Sequence, residues 1–137
     1  MNDRNCIFCK IAIREIPAKI IFENDLNLAF LDISPISRGH SIIISKNHYP
    51  NLEQIPNFEL TEIFLVVKKI ATLIHEKLHI DGYNILQNNF TAAGQVVNHF
   101  HVHIIPRNFN DNKFSIKIPR SQANEEELFS VLKILIA

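Results

Sequence analysis

Between residues 57 and 78, apolar side chains recur at helical spacing: Leu60, Ile63, Phe64, Val67, Ile70, Ala71, Ile74 and Leu78, with Glu62, Lys69 and Glu76 opposite. This period predicts a long amphipathic helix over 57–78. Leu65, Val66 and Leu73 add a second apolar flank, wider than one packing face needs. Either the flank meets another subunit or the helix is deeply buried. Elsewhere the apolar runs are short and bounded by turn residues, which predicts strands over 19–23, 28–32, 41–45 and 83–87. A short helix over 7–14 closes before Pro17, and a final helix covers 124–136 with Asn124 as N-cap. Glu125, Glu126 and Glu127 then lie at that helix's positive end, as a solvated start and not an acid cluster for catalysis. Because most strands follow one another through short turns, the expected class is α+β: a mostly antiparallel sheet of about five strands, one long helix covering one side, and two short helices.

The 137 residues suffice for one domain, and 47% hydrophobic with 20% charged content is that of a packed chain. Fourteen basic and fourteen acidic residues cancel, with no block of five or more like charges, so a long nucleic acid is not an expected partner. A mononucleotide needs only local contacts. No apolar signal core or membrane-length run is present, so a reducing cytoplasm is expected, with Cys6 and Cys9 as thiols or metal ligands and not a disulfide.

The chemistry concentrates in His99-Phe100-His101-Val102-His103, followed by Ile104-Ile105. On a strand, alternate residues share a face, so three imidazoles line one side while Phe100, Val102 and Ile104 pack on the other. Neighbouring rings should lie roughly 6.5–7 Å apart. Each titrates near neutrality and is equipped to act as nucleophile, acid, base or metal ligand. Ahead of them, a polar connector runs from Asn88 to Gln95. Gly94 permits close backbone approach to an anion and the Gln95 amide offers a donor to a phosphate oxygen. Cys6-Ile7-Phe8-Cys9 has the spacing of two ligands to one tetrahedral zinc, or of two buried thiols. His75 and His79, four apart with no third ligand in view, read as surface residues.

These residues resemble the histidine-triad (HIT) family, whose signature alternates three histidines with apolar positions. The supporting blocks are Ile16-Pro17-Ala18-Lys19, the stretch from Ala29 to Pro35, and Gly39-His40-Ser41-Ile42-Ile43-Ile44, with Gly94-Gln95 ahead of the triad. The likeness covers about 6–107 of a single 1–137 domain, leaving 108–137 as a C-terminal extension. It is greatest to the bacterial nucleoside-phosphoramidase-like branch, and dinucleoside polyphosphate hydrolases share much of the pattern.

The resemblance implies a HIT-like fold and a purine nucleotide or nucleoside phosphoramidate as partner. His101 would attack the α-phosphorus to form a nucleotidyl-histidine, its other ring nitrogen held by the carbonyl of His99. His103 and Gln95 would meet the phosphate or leaving group. Asp32 would take the ribose hydroxyls, or else cap the Ser34-Pro35 turn. Phe8, Ile16 and Leu31 would wall the base, Asn88 would contact phosphate or ribose, and His40 would support the triad. It further implies a structural zinc on Cys6, Cys9, His48 and His99, no catalytic metal or organic cofactor, and a homodimer. Two departures are Val96, where relatives often carry a hydroxyl, and the polar Asn98. Two rival readings are a zinc hydrolase chelating its metal with His99, His101 and His103, and a nucleotide-binding interaction protein of weak activity.

Overall fold

Alternation along each strand decides which helix it meets. In the computed structural model, which describes residues 2–114 and 118–137, the elements are α1 (Ile7–Ala12), β1 (Ile20–Glu23), β2 (Asn27–Leu31), β3 (Ser41–Ser45), α2 (Asn57–Leu78), β4 (Gly82–Leu86), β5 (His101–Arg107) and α3 (Glu125–Ile136). The strands form one antiparallel sheet in the order β1-β2-β3-β5-β4. Ala29, Ile43, Val102 and Ile104 face α2, meeting its Ile63, Val67, Ile70 and Ile74 together with Phe100. Leu28, Phe30, Ile42 and Ile44 face the other way, onto Phe8, Cys9 and Ile11 of α1. Each fully buried aliphatic or phenyl side chain contributes about 1.5–3 kcal/mol, so both layers are needed to hold the sheet.

The long helix has the predicted bounds, and α3 begins after Asn124, whose side chain accepts the Glu127 N–H. In the second flank of α2, Val66 is core, but Leu65 is 57% exposed and Leu73 38%. The deeply buried alternative is thereby excluded for this chain: the flank faces outward. Helix α1 stops at Ala12, short of the predicted Arg14, because Arg14 takes a left-handed conformation (φ 68°) that no helix continues. A 3-10 turn at Thr91–Ala93 breaks the connector expected to be irregular.

Strand β5 starts at His101, two residues after the expected start. His99 N–H donates to the Val97 carbonyl and Phe100 N–H to that of Tyr49, so both residues precede the first paired position, Ile44 with His101. The alternation of faces nevertheless holds, with Phe100 in the α2 layer. Between β2 and β3, Gly39 has φ +89°, and a Cβ there would lie 2.5 Å from Leu78 Cδ1 at the end of α2. This loop is pressed against the helix, which holds His40 at the start of β3. Among the described residues, no helix is long and apolar enough to cross a membrane.

Candidate active site

Register sets the site. Leu28, Ile44 and His101 lie side by side across β2, β3 and β5, as do Phe30, Ile42 and His103. The rings of His101 and His103 lean together, with centroids 4.9 Å apart, closer than strand spacing alone implies. The Nδ1–H of His101 donates to the His99 carbonyl at 2.6 Å. A carbonyl only accepts, so in the neutral ring the proton is on Nδ1 and Nε2 keeps its lone pair. Burial pushes the His101 pKa below its ordinary 6.5, against the opposing pull of this hydrogen bond and of Asp32.

A second chain of partners orients His103. The Ile36 N–H donates to His40 Nδ1 at 3.0 Å, which obliges a neutral His40 to carry its proton on Nε2. That Nε2–H faces His103 Nδ1 at 2.9 Å, so His103 in turn carries its proton on Nε2, as a donor. Burial, followed by the neighbouring His101 and His40, pushes His103 down to about 4. Burial lowers His40 as well, opposed by Asp32, whose Oδ2 lies 3.6 Å from His40 Nε2. The ligand atoms of Asp32, His40 and His103 lie within 4.8 Å of one another, but the proton on His40 Nε2 leaves no lone pair there for a metal.

Beside this row is an apolar cavity lined by Phe8, Ile11, Ile16, Leu31 and Ile42, with Asp32 as its carboxylate. Four expected nucleotide-site residues (Phe8, Ile16, Leu31 and Asp32) thus meet in one place. Phe8 stands edge-on to His101 at 5.0 Å and to His99 at 5.9 Å. Asp32 has two engagements: Oδ1 caps the Ser34 N–H at 2.8 Å, while Oδ2 faces His40. Asn88 is not part of that lining, and its amide donates to the Gly94 carbonyl at 3.4 Å.

Gln95 differs from the sequence expectation. Its amide, expected to donate to a phosphate, is buried and donates to the carbonyls of Pro50 (2.6 Å) and Val97 (3.1 Å). Its Oε1 accepts the Phe90 N–H at 2.8 Å. Both amide protons are therefore occupied, and Gln95 braces the connector at Phe90, a residue at φ 68° and ψ 156° where side chains are strained. Val96 beside it is 93% exposed. Sequence reasoning missed Phe90, the Ser45 carbonyl and the Ile36 N–H. The last two are backbone groups and carry no residue-type signal.

Cys6, Cys9, His48 and His99 converge at the other end of the row. The Sγ–Nδ1 separations are 3.4 Å (Cys6–His99), 3.5 Å (Cys9–His48) and 3.6 Å (Cys9–His99), and the two Nδ1 atoms are 3.2 Å apart. A zinc tetrahedron with ordinary Zn–S and Zn–N bonds has S–N edges of about 3.6 Å and N–N edges of about 3.4 Å. His99 Nε2–H donates to the Ser45 carbonyl at 2.8 Å, so its Nδ1 presents a lone pair to the cluster. Burial holds the Cys9 thiol above its ordinary value, and lowers His99 to about 4. Four ligand atoms converge here at separations near those of a tetrahedron, and a tetrahedral cation fits them. With both ring nitrogens so committed, His99 does not join His101 and His103 in chelating one ion.

Comparison with known proteins agrees with this geometry. The HIT domain family model matches residues 13–110. The adenosine 5′-monophosphoramidase HNT1 of Saccharomyces cerevisiae is 37% identical over 135 residues, covering 98% of this chain and 83% of that protein. A crystal structure of a HIT family member from Bacillus subtilis superposes with a TM-score of 0.89 at 35% identity, covering 97% of this chain and 96% of that one. A zinc-bound histidine triad family protein from Mycobacterium smegmatis gives 0.77 at 36% identity, with 96% of each chain covered.

Proposed function

Because the chain belongs to the HIT family, we propose that it hydrolyses purine nucleoside 5′-phosphoramidates through a nucleotidyl-histidine on His101. The observation that carries this reading is the 2.6 Å hydrogen bond from His101 Nδ1–H to the His99 carbonyl, which leaves an uncharged Nε2 as nucleophile. Nε2 attacks the α-phosphorus and a P–N bond forms as the bond to the leaving amine breaks. The departing nitrogen is held by the His103 Nε2–H as a hydrogen-bond donor and leaves as the amine with a proton from solvent. Water then attacks the phosphorus, the P–N bond to His101 breaks with its electron pair returning to Nε2, and the water proton goes to solvent. The product is the nucleoside monophosphate and His101 is regenerated. The cavity walled by Phe8, Ile16 and Leu31 takes the base, with Asp32 Oδ2 toward the ribose. The yeast relative, an adenosine 5′-monophosphoramidase, supports this substrate class.

Zinc is proposed at Cys6, Cys9, His48 and His99. Four protein ligands leave no position for an activated water, so the ion would cross-link and not catalyse. A homodimer is proposed through the open edge of β4, with half-exposed Tyr83, Ile85 and Leu86, and the outward flank of α2.

Quenching the protein with alkaline denaturant, in which a P–N bond survives, during turnover of adenosine 5′-phosphoramidate should yield an adenylyl adduct on His101. His101→Ala should lower turnover by several orders of magnitude while nucleotide still binds. Turnover surviving in that variant would refute the mechanism.

A further inference from the structure

His99 belongs to two structures at once. Its side chain is in the Cys6, Cys9 and His48 cluster, while its carbonyl holds the Nδ1–H of His101. Residue 99 precedes the first paired position of β5, so the ladder does not aim this carbonyl. What fixes the peptide is the Phe100 N–H on the Tyr49 carbonyl, within the same peptide unit, together with the His99 N–H on Val97 and the His99 ring clamped between the Ser45 carbonyl and the cluster. Helix α1 reinforces the link, because the helix that carries both cysteines also sets Phe8 against the rings of His99 and His101. That helix has no side-chain cap at Cys6, so beyond its apolar layer the cluster is its tie to β5.

We propose that the four-ligand site is a positioning device for the nucleophile: a divalent cation bound by Cys6, Cys9, His48 and His99 orients the His99 carbonyl and thereby holds His101 in the form with Nε2 free. The inference rests on the metal and nucleophile readings above and goes beyond them by making His99 the coupling between the two. His99 is in this respect a positioning residue. When the cluster is emptied, the ring of His99 keeps the Ser45 contact alone, its carbonyl is left to the backbone bonds of Phe100 and His99, and part of the His101 proton population moves from Nδ1 to Nε2.

The test is nitrogen-15 NMR of the histidine rings in zinc-loaded, zinc-stripped and re-loaded protein, with bound metal measured in each. His48→Asn serves as a variant weakened in metal binding without a change in α1 or the triad. The loaded protein should give a single Nδ1–H form of His101 with a strongly downfield proton, as a 2.6 Å hydrogen bond implies. Stripped protein and His48→Asn should give a mixture, with kcat lowered about tenfold or more and KM changed less, and zinc should restore the stripped sample. Should the stripped chain unfold, cadmium-loaded protein keeps the cluster filled by a larger ion. The His101 proton resonance should then shift while circular dichroism is unchanged.

Reversible zinc binding with an unchanged His101 spectrum, or an unshifted proton under cadmium, would overturn the coupling alone. Failure to bind zinc at all would overturn the metal reading and the coupling together. A His101 spectrum that follows the metal in a protein without turnover would uphold the coupling and sink the nucleotidyl-histidine reading.

Discussion

His99 and His103 are the same residue type, two steps either side of His101, and burial holds both near pKa 4. Their partners make them opposites. His99 commits Nε2 to the Ser45 carbonyl and Nδ1 to the cysteine cluster, so its chemistry is structural and only its backbone reaches the reacting ring. His103 accepts a hydrogen bond at Nδ1 from His40 Nε2–H and keeps its own Nε2–H free to donate. Burial and spacing do not separate an anchor from a donor. The direction of one hydrogen bond does.

That contrast breaks most visibly under alanine. His99→Ala should lose metal, turnover and about 3 kcal/mol of stability, the upper end of ordinary single substitutions, because a buried carbonyl and three ligands lose their partner. His103→Ala should cost about 10²–10³-fold in kcat, the scale of one lost transition-state donor, with zinc content unchanged. Paired metal analysis, denaturant titration and kinetics check both. Equal stability loss in the two would erase the distinction. A step smaller, His40→Ala should lower kcat on the order of tenfold by freeing the His103 tautomer, as loss of an orienting partner does. It should leave the His101 ring resonances in place.

The acid side of the pH scale sharpens the same comparison. His103, faced by His101, His40 and Asp32, is held to about 4 in the folded chain, against 6.5 when exposed. Above pH 6.5 neither state takes a proton. Between 6.5 and 4 only the unfolded chain does, so stability falls as pH falls across that window and this contribution is exhausted below it. The slope of the denaturation midpoint against pH should be shallower in His103→Ala than in the parent protein. The smallest effect on turnover is expected from Gln95→Leu, which removes three hydrogen bonds around Phe90. It should cost about 1–3 kcal/mol in thermal or chemical denaturation without altering the His101 adduct.

Much of this architecture is legible in the residues. The period of α2 marks both its ends, Asn124 marks the start of α3, and the alternation around His101 separates the chemical face from the packed one. Phe8, Ile16, Leu31 and Asp32 meet at one cavity, and Cys6, Cys9, His48 and His99 in one cluster, as the family resemblance implies. What escapes is whatever depends on backbone groups. The late start of β5, the Ser45 carbonyl and the Ile36 N–H are invisible to residue type, and the His99 carbonyl is reached only through the family resemblance. Gln95 is misread for the same reason: three backbone partners claim a side chain whose chemistry equally suits a phosphate.

Gly39 carries a last consequence. It bears no functional group and contacts no ligand, yet it lets the 33–39 turn lie against Leu78 while the amide of residue 36 points at His40. Any side chain at residue 39 would be strained at φ +89°, and if the turn relaxes to relieve that strain, the imidazole behind His103 loses its aim. On the mechanism proposed above, the resulting defect would register as slow leaving-group departure, in a protein whose cleft, thiols and His101 ring are all intact.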